Sequence, residues 1–208
     1  GLAAGLNEDL TPWLEAIEAG EMPWTAHRHL RSLPVEAPGV PSHVVTDADG
    51  RFQISGVGRG RKIDLVLEGP TICYSQVTVA NRSMEPITRQ LGSFFSQTDR
   101  VYGADFVFTA APTQPIVGTV RDARTGQPLA GVSVESYQFA GTHTIGNRVI
   151  KTETNTEGRY RLVGLPKGKD NQLIAIPNDN QPYFMREVNV PEVAGLEPVT
   201  ADIELHRG

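Results

Sequence analysis

Of the five histidines in this 208-residue chain, two stand together as His27-Arg28-His29. Imidazoles at i and i+2 converge on one cation only when they sit on a strand. A zinc peptidase needs a His-x-x-Glu pair and a distant third His that leaves a position for water. None of the five histidines is followed three residues later by Glu, so the pair reads as incidental and no metal or cofactor is assigned. Asp47-Ala48-Asp49-Gly50 opens like a calcium loop, with carboxylates at alternate positions and a glycine to turn the chain. The closing Glu is missing, because position 58 is Gly, and a hairpin turn is the preferred reading. Gly56-Val57-Gly58-Arg59-Gly60 imitates a phosphate loop but lacks the Lys-Ser/Thr ending and a following helix pattern. Nucleophile chemistry is equally bare: there is no G-x-S-x-G elbow, and Cys73, the single cysteine, lies in an apolar strand-like run that suits a buried, inert thiol. Asn81-Arg82-Ser83 fits the glycosylation pattern and is read as a coincidence of a short motif.

Aromatic residues offer the remaining ligand surface. Tyr137 and Phe139, with Asn180, Tyr183 and Phe184 in and after Asn178-Asp179-Asn180-Gln181-Pro182, combine flat rings with amides. That chemistry suits a sugar or a peptide. The competing and preferred role for the same rings is to anchor core and loops.

The elements that must position these residues are repeated. Thr46–Leu67 and Thr154–Ala175 match without a gap at a constant offset of 108, with six identical pairs among 22. A match of that length marks a duplicated structural unit. Glycines 50, 56 and 60 recur as 158, 164 and 168, whereas Asp47 and Asp49 drift to Asn155 and Glu157. Turn chemistry is what the two copies share.

Hydrophobic content of 39%, charged content of 21%, 21 Gly and 15 Pro describe a turn-rich globular protein made of many short strands. A net charge of −5 excludes the concentrated basic face of a nucleic-acid binder, so no nucleic-acid partner is expected. No apolar run reaches the 18 residues of a membrane span.

Along the chain, Asp9 or Thr11 can cap a helix with Pro12 in its first turn. Leu10, Trp13, Leu14 and Ile17 form its apolar stripe, and Gly20 suits its stop. Trp24 is expected to anchor the segment after the helix, and the proline-rich Leu33–Pro41 reads as an extended connector. Strands are expected at Val44–Thr46, Arg51–Ile54, Ile63–Leu67, Ser75–Ala80 and Ala104–Thr109, with Asn81–Arg100 a long loop. Ala111–Pro115 reads as a stiff linker between domains. Beyond it, seven strands are expected: Ile116–Arg121, Val132–Tyr137, Val149–Thr154, Arg159–Leu162, Leu173–Pro177, Arg186–Val190 and Val199–Leu205. Seven short strands in under 100 residues imply a β-sandwich. Subtracting 108 from the opening strands of this copy lands on the helical segment, so the first copy lacks them there. They are expected to lie upstream of residue 1, with the helix an insertion.

Val117-Gly118-Thr119-Val120-Arg121-Asp122, Thr125-Gly126-Gln127-Pro128-Leu129-Ala130-Gly131-Val132 and Thr154-Asn155-Thr156-Glu157-Gly158-Arg159-Tyr160, followed by Gly164-Leu165-Pro166, resemble the carboxypeptidase regulatory-like family. The resemblance covers Pro115–Gly208, and residues 44–110 resemble the same family from the hairpin onward. It implies two tandem Ig-like or prealbumin-like (transthyretin-like) β-sandwiches, and with the N-terminal amphipathic helix read from the residues the expected chain is all-β in class. The expected division is 1–43 helical segment and connector, 44–111 an incomplete first β-domain, and 115–208 a second, complete one. The implied role is a non-enzymatic structural or interaction module of a larger bacterial envelope-associated protein, periplasmic or at the cell surface, with a protein or carbohydrate partner. A carbohydrate-binding module is the alternative.

Overall fold

The apolar stripe near the N-terminus forms a helix, α1 (Thr11–Glu18), in the computed structural model, which describes residues 1–33, 39–90, 98–141 and 148–208. The Oδ1 of Asp9 accepts the Thr11 N–H at 2.9 Å, and Pro12 occupies the first turn. At the other end Gly20 takes φ 81°, and the N–H groups of Gly20 and Glu21 return to the carbonyls of Ile17 and Ala16. This is a Schellman stop, which only a residue tolerant of positive φ closes cheaply. Leu10, Trp13, Leu14 and Ile17 are all buried. A short α2 (Pro23–Ala26) comes next, but Trp24 is 64% exposed instead of buried, because the inward position of this turn is taken by Ala26.

Two compact units make up the chain: Gly1–Val66 with Gln76–Phe108, and Leu67–Ser75 with Thr109–Gly208. The first is built on a six-stranded sheet of β1 (Leu2–Gly5), β2 (Leu30–Ser32), β3 (Arg61–Gly69), β4 (Ile72–Ala80), β5 (Ile87–Gln90) and β6 (Thr98–Tyr102), in the order β2-β1-β3-β4-β6-β5. The far ends of β3 and β4 count with the second unit. α1 packs on this sheet through Ala80, Val101 and Ile87. Because successive strand residues face opposite ways, Tyr102 points to the other side, where its ring meets Phe106 at 5.0 Å and Phe108 at 6.5 Å.

Several expectations for the first unit are corrected. Asn81–Arg100 is not one loop: it carries β5 and the start of β6, and its residues 91–97 lie outside the described residues. Residues 34–38 of the expected connector lie outside them too. Val44–Thr46, Arg51–Ile54 and Ala104–Thr109 are not strands. The opening strands are not wholly missing from residues 1–33 either, since β1 and β2 pair antiparallel with each other and β1 pairs antiparallel with β3.

The second unit is the β-sandwich that its strand rhythm predicts, with the last expected strand, Val199–Leu205, divided into two short ones. One sheet holds β7 (Ile116–Asp122) between β10 (Arg159–Leu162) on one side and the parallel β13 (Val199–Thr200) and β14 (Ile203–Leu205) on the other. The facing sheet runs β12 (Arg186–Asn189), β11 (Gln172–Ile176), β8 (Ser133–Gln138), β9 (Lys151–Glu153). Ile116, Val120, Val132, Val134, Leu162, Leu165, Leu173, Ile203 and Leu205 fill the space between them at 1% exposure or less. Each such side chain contributes about 1.5–3 kcal/mol on burial. Residues 111–115 are knit into this unit: Thr113 is buried, its N–H reaches the Thr71 carbonyl, and its hydroxyl donates to the Leu165 carbonyl at 2.9 Å.

The two units share a sheet plan. The order β12-β11-β8-β9 of the second matches β4-β3-β1-β2 of the first, with β8 and β9 antiparallel as β1 and β2 are. β1 thus stands where β8 stands, and the helical residues are an insertion between β1 and β2. Among the described residues nothing in the first unit stands where β7 does. That absence explains two of the corrections: β10, β13 and β14 owe their ladders to β7, and Arg51–Ile54 and Ala104–Phe108 have no such neighbour.

Candidate functional site

The duplicated turn holds the carboxylates that resemble the start of a cation loop, and its hydrogen bonds settle their use. Asp47 Oδ1 accepts the N–H groups of Asp49 and Arg51 at 3.0 and 2.8 Å, and Asn155 Oδ1 accepts those of Glu157 and Arg159 at 3.0 and 2.9 Å. In both copies the backbone closes the same way, Asp47 N–H to Arg51 O and Asn155 N–H to Arg159 O. Gly50 and Gly158 take φ 76° and 69°. Asp47 can be exchanged for Asn because an amide oxygen accepts these two bonds as a carboxylate does. Asp49 and Glu157 are turned outward onto Arg51 and Arg159. A cation loop would need those oxygens free and convergent.

The five aromatic and amide residues singled out in the sequence all fall in the second unit, but they do not form one surface. Phe139 is buried at 9% exposure in the sandwich core and meets Tyr74 edge-on at 6.4 Å. Tyr183 is half-buried against the same core. Asn180 is exposed in a turn whose frame is Asn178, with its N–H donating to Asn178 Oδ1 at 3.0 Å. Phe184 is 65% exposed next to Met185 at 67%. Tyr137 sits half-buried on β8 where the register with β11 shifts, and it bonds Glu187, whose charge pushes the phenol upward.

Tyr183 belongs to a network that sequence reasoning missed. Asp122, at the end of β7, is 2% exposed. Its Oδ1 accepts the N–H groups of Arg124 and Thr125 at 2.8 and 2.9 Å. Its Oδ2 accepts the Tyr183 hydroxyl and Arg207 Nε, each at 2.9 Å. The Arg207 guanidinium also lies over the Tyr183 ring at 5.4 Å. These donors, the Thr125 N–H foremost, hold the Asp122 carboxyl well below the usual carboxylate range despite its burial. The signal in the sequence is faint: an Asp followed three residues later by Thr-Gly is a turn pattern, and Arg207 is 85 residues away.

On the outer side of β8, Glu135 is buried beneath Arg148 and accepts the Ser133 hydroxyl at 2.8 Å. The Arg148 contact, ahead of the other causes, lowers its carboxyl. Cys73 is buried and donates to the carbonyls of Pro112 and Leu165 at 3.1 and 3.6 Å, and burial pushes its thiol upward, away from the nucleophilic form. His27 and His29 lie in a 3-10 turn, where i and i+2 side chains diverge. Among the described residues no three His, Cys, Asp or Glu side chains are placed to hold one metal ion. An open cleft of the second unit is lined by Glu68, Tyr74, Lys151 and Arg161 and takes in none of the five residues.

No family model matches the chain, and no curated protein does. Solved structures do. The dioxygenase domain of a dioxygenase carbohydrate-binding protein fusion from Streptomyces sp. SirexAA-E is 18% identical, with 47% of this chain and 82% of that chain covered and a TM-score of 0.34. GBS52, the minor pilin of Streptococcus agalactiae, is 14% identical over 100% of this chain and 82% of its own, at TM-score 0.33. The group B streptococcus pilus 2b backbone protein is 12% identical over 70% and 81%, at TM-score 0.35.

Proposed function

We propose that this chain is a non-catalytic structural or interaction module, one of tandem β-sandwich design, within a larger bacterial protein of the envelope or cell surface. One observation carries the proposal: among the described residues, the polar side chains best placed for chemistry are engaged in holding turns and core. Asp47, Asn155 and Asp122 hold turns, Cys73 and Thr113 are buried against carbonyls, and Glu135 is covered by Arg148. The resemblance of Pro115–Gly208 to the carboxypeptidase regulatory-like, transthyretin-like family supports the same assignment and the periplasmic or surface location. Fold alone leaves the task open, so the partner is assigned only as a protein.

The experiment pairs two measurements. The chain by itself is offered panels of ester, peptide and glycoside substrates, and the full-length protein is compared with a version lacking residues 1–208 for its placement and assembly in the envelope. Altered assembly with no turnover is expected. Turnover that a single polar substitution abolishes would overturn the assignment.

A second reading, carbohydrate binding, is favoured by the exposed Phe184 and Met185 and by the half-exposed Tyr137. Loss of a glycan-array signal on Phe184→Ala, with unchanged melting, would support it.

A further inference from the structure

We propose that the first unit holds an open strand slot, and that its occupant is an extended segment of the β7 pattern supplied by the polypeptide leading into β1. The second unit shows what a filled slot looks like. There β7 pairs antiparallel with β10, Tyr160 opposite Gly118 and Leu162 opposite Ile116, and parallel with β14, Ile203 opposite Val120. The offset of 108 turns Arg159–Leu162 into Arg51–Ile54, and the closing segment Ala201–Leu205 corresponds to Ala104–Phe108. These two segments should flank the same strand.

In the first unit both flanks are present and both are bare. Among the described residues the N–H groups of Phe52–Ile54 and Phe106–Phe108 have no backbone partner. The flanks are nevertheless held in place by rings, Phe52 on Phe106 at 5.9 Å and Phe106 on Tyr102 at 5.0 Å. Phe52 repeats Tyr160, whose hydroxyl reaches past Gly118 to the Ala201 carbonyl beneath β7. A ring therefore crosses the floor of the slot in each unit. Val107 is 88% exposed beside it. Two facing rows of unpaired backbone are a template for one more strand.

The occupant is specified by β7. Its inward positions are Ile116 and Val120, at 1% and 0% exposure, with Gly118 between them. A Cβ on Gly118 would lie 2.1 Å from the Ala201 carbonyl oxygen and 2.9 Å from the Tyr160 ring. The slot thus takes about seven extended residues, apolar at the first and fifth and small at the third. Its source is set by chain order: β7 immediately precedes β8, and β1 holds the place of β8, so the matching strand enters ahead of β1.

Amide hydrogen exchange tests the proposal in two steps. In the present chain at low concentration, the N–H groups of Phe52, Ile54, Phe106 and Phe108 should exchange with less than about 10-fold protection, while those of Tyr160, Leu162, Ile203 and Leu205 show more than about 100-fold. Then a duplicate of Pro115–Val132 is placed ahead of Gly1. Protection at both flanks should rise about 10-fold or more, with a higher Tm for the first unit, and Val120→Asp in the duplicate alone should abolish the gain. Strong protection in the unextended monomer would overturn the proposal, as would a duplicate that folds in without protecting either flank. Protection that grows with concentration alongside a dimer would assign the slot to a second copy and overturn the source proposed here.

Discussion

Asp122 is the residue whose loss should be felt furthest. It joins the turn after β7, the segment at Tyr183 and the C-terminal Arg207 through four hydrogen bonds. Asp122→Asn keeps one acceptor oxygen but ends the charge-assisted bond to Arg207, and a drop in Tm of roughly 5–10 °C is expected by calorimetry. The pH dependence has a definite sign. The folded state holds this carboxyl below its unfolded value of about 3.9, so its contribution is complete above that value and is lost as pH falls through the folded one. Acid titration of Tm should therefore show a decline below about pH 4 that is shallower in Asp122→Asn. Tyr160 makes a smaller case: burial, the largest cause, and the Asp202 charge push its phenol upward, so it stays protonated and donates to Ala201 across the physiological range. Tyr160→Phe should cost about 1–2 kcal/mol in urea unfolding. The first unit carries Phe52 at the same place, the ring without the hydroxyl.

At the scale of elements, the turn around Asp47 and its repeat around Asn155 make identical sets of bonds but sit in unequal surroundings. In the second unit the turn connects strands that are both paired; in the first it ends in unpaired segments. Asn155→Ala should cost about 1–2 kcal/mol, while Asp47→Ala should move the melting of the first unit by no more than about half as much, because less ordered structure depends on it. Gly118 tests the sheet itself. It has no positive φ and is glycine because the Ala201 carbonyl and the Tyr160 ring crowd it. Gly118→Ala should destabilise the second unit by about 3 kcal/mol, read by chemical denaturation, whereas Gly126→Ala in the open turn should cost only the strain of its φ of 71°.

For the whole molecule, the sequence by itself determined whatever depends on local periodicity and turn chemistry. The helix with its Gly20 stop, the strand rhythm of the second unit, the duplicated Asx turn and the burial of Cys73 were all legible, because each rests on residues a few positions apart. The candidate site was legible only as residue types. Tertiary structure sent Phe139 to the core, tied Tyr183 to Asp122 and left Phe184 in solvent, since those fates hang on partners that are distant in sequence. It also decided the first unit. Arg51–Ile54 and Ala104–Phe108 carry the same alternation as their counterparts, and alternation permits a strand without making one. A strand exists through its neighbour's hydrogen bonds, and the neighbour these two segments need is a β7 that the described residues of the first unit do not contain.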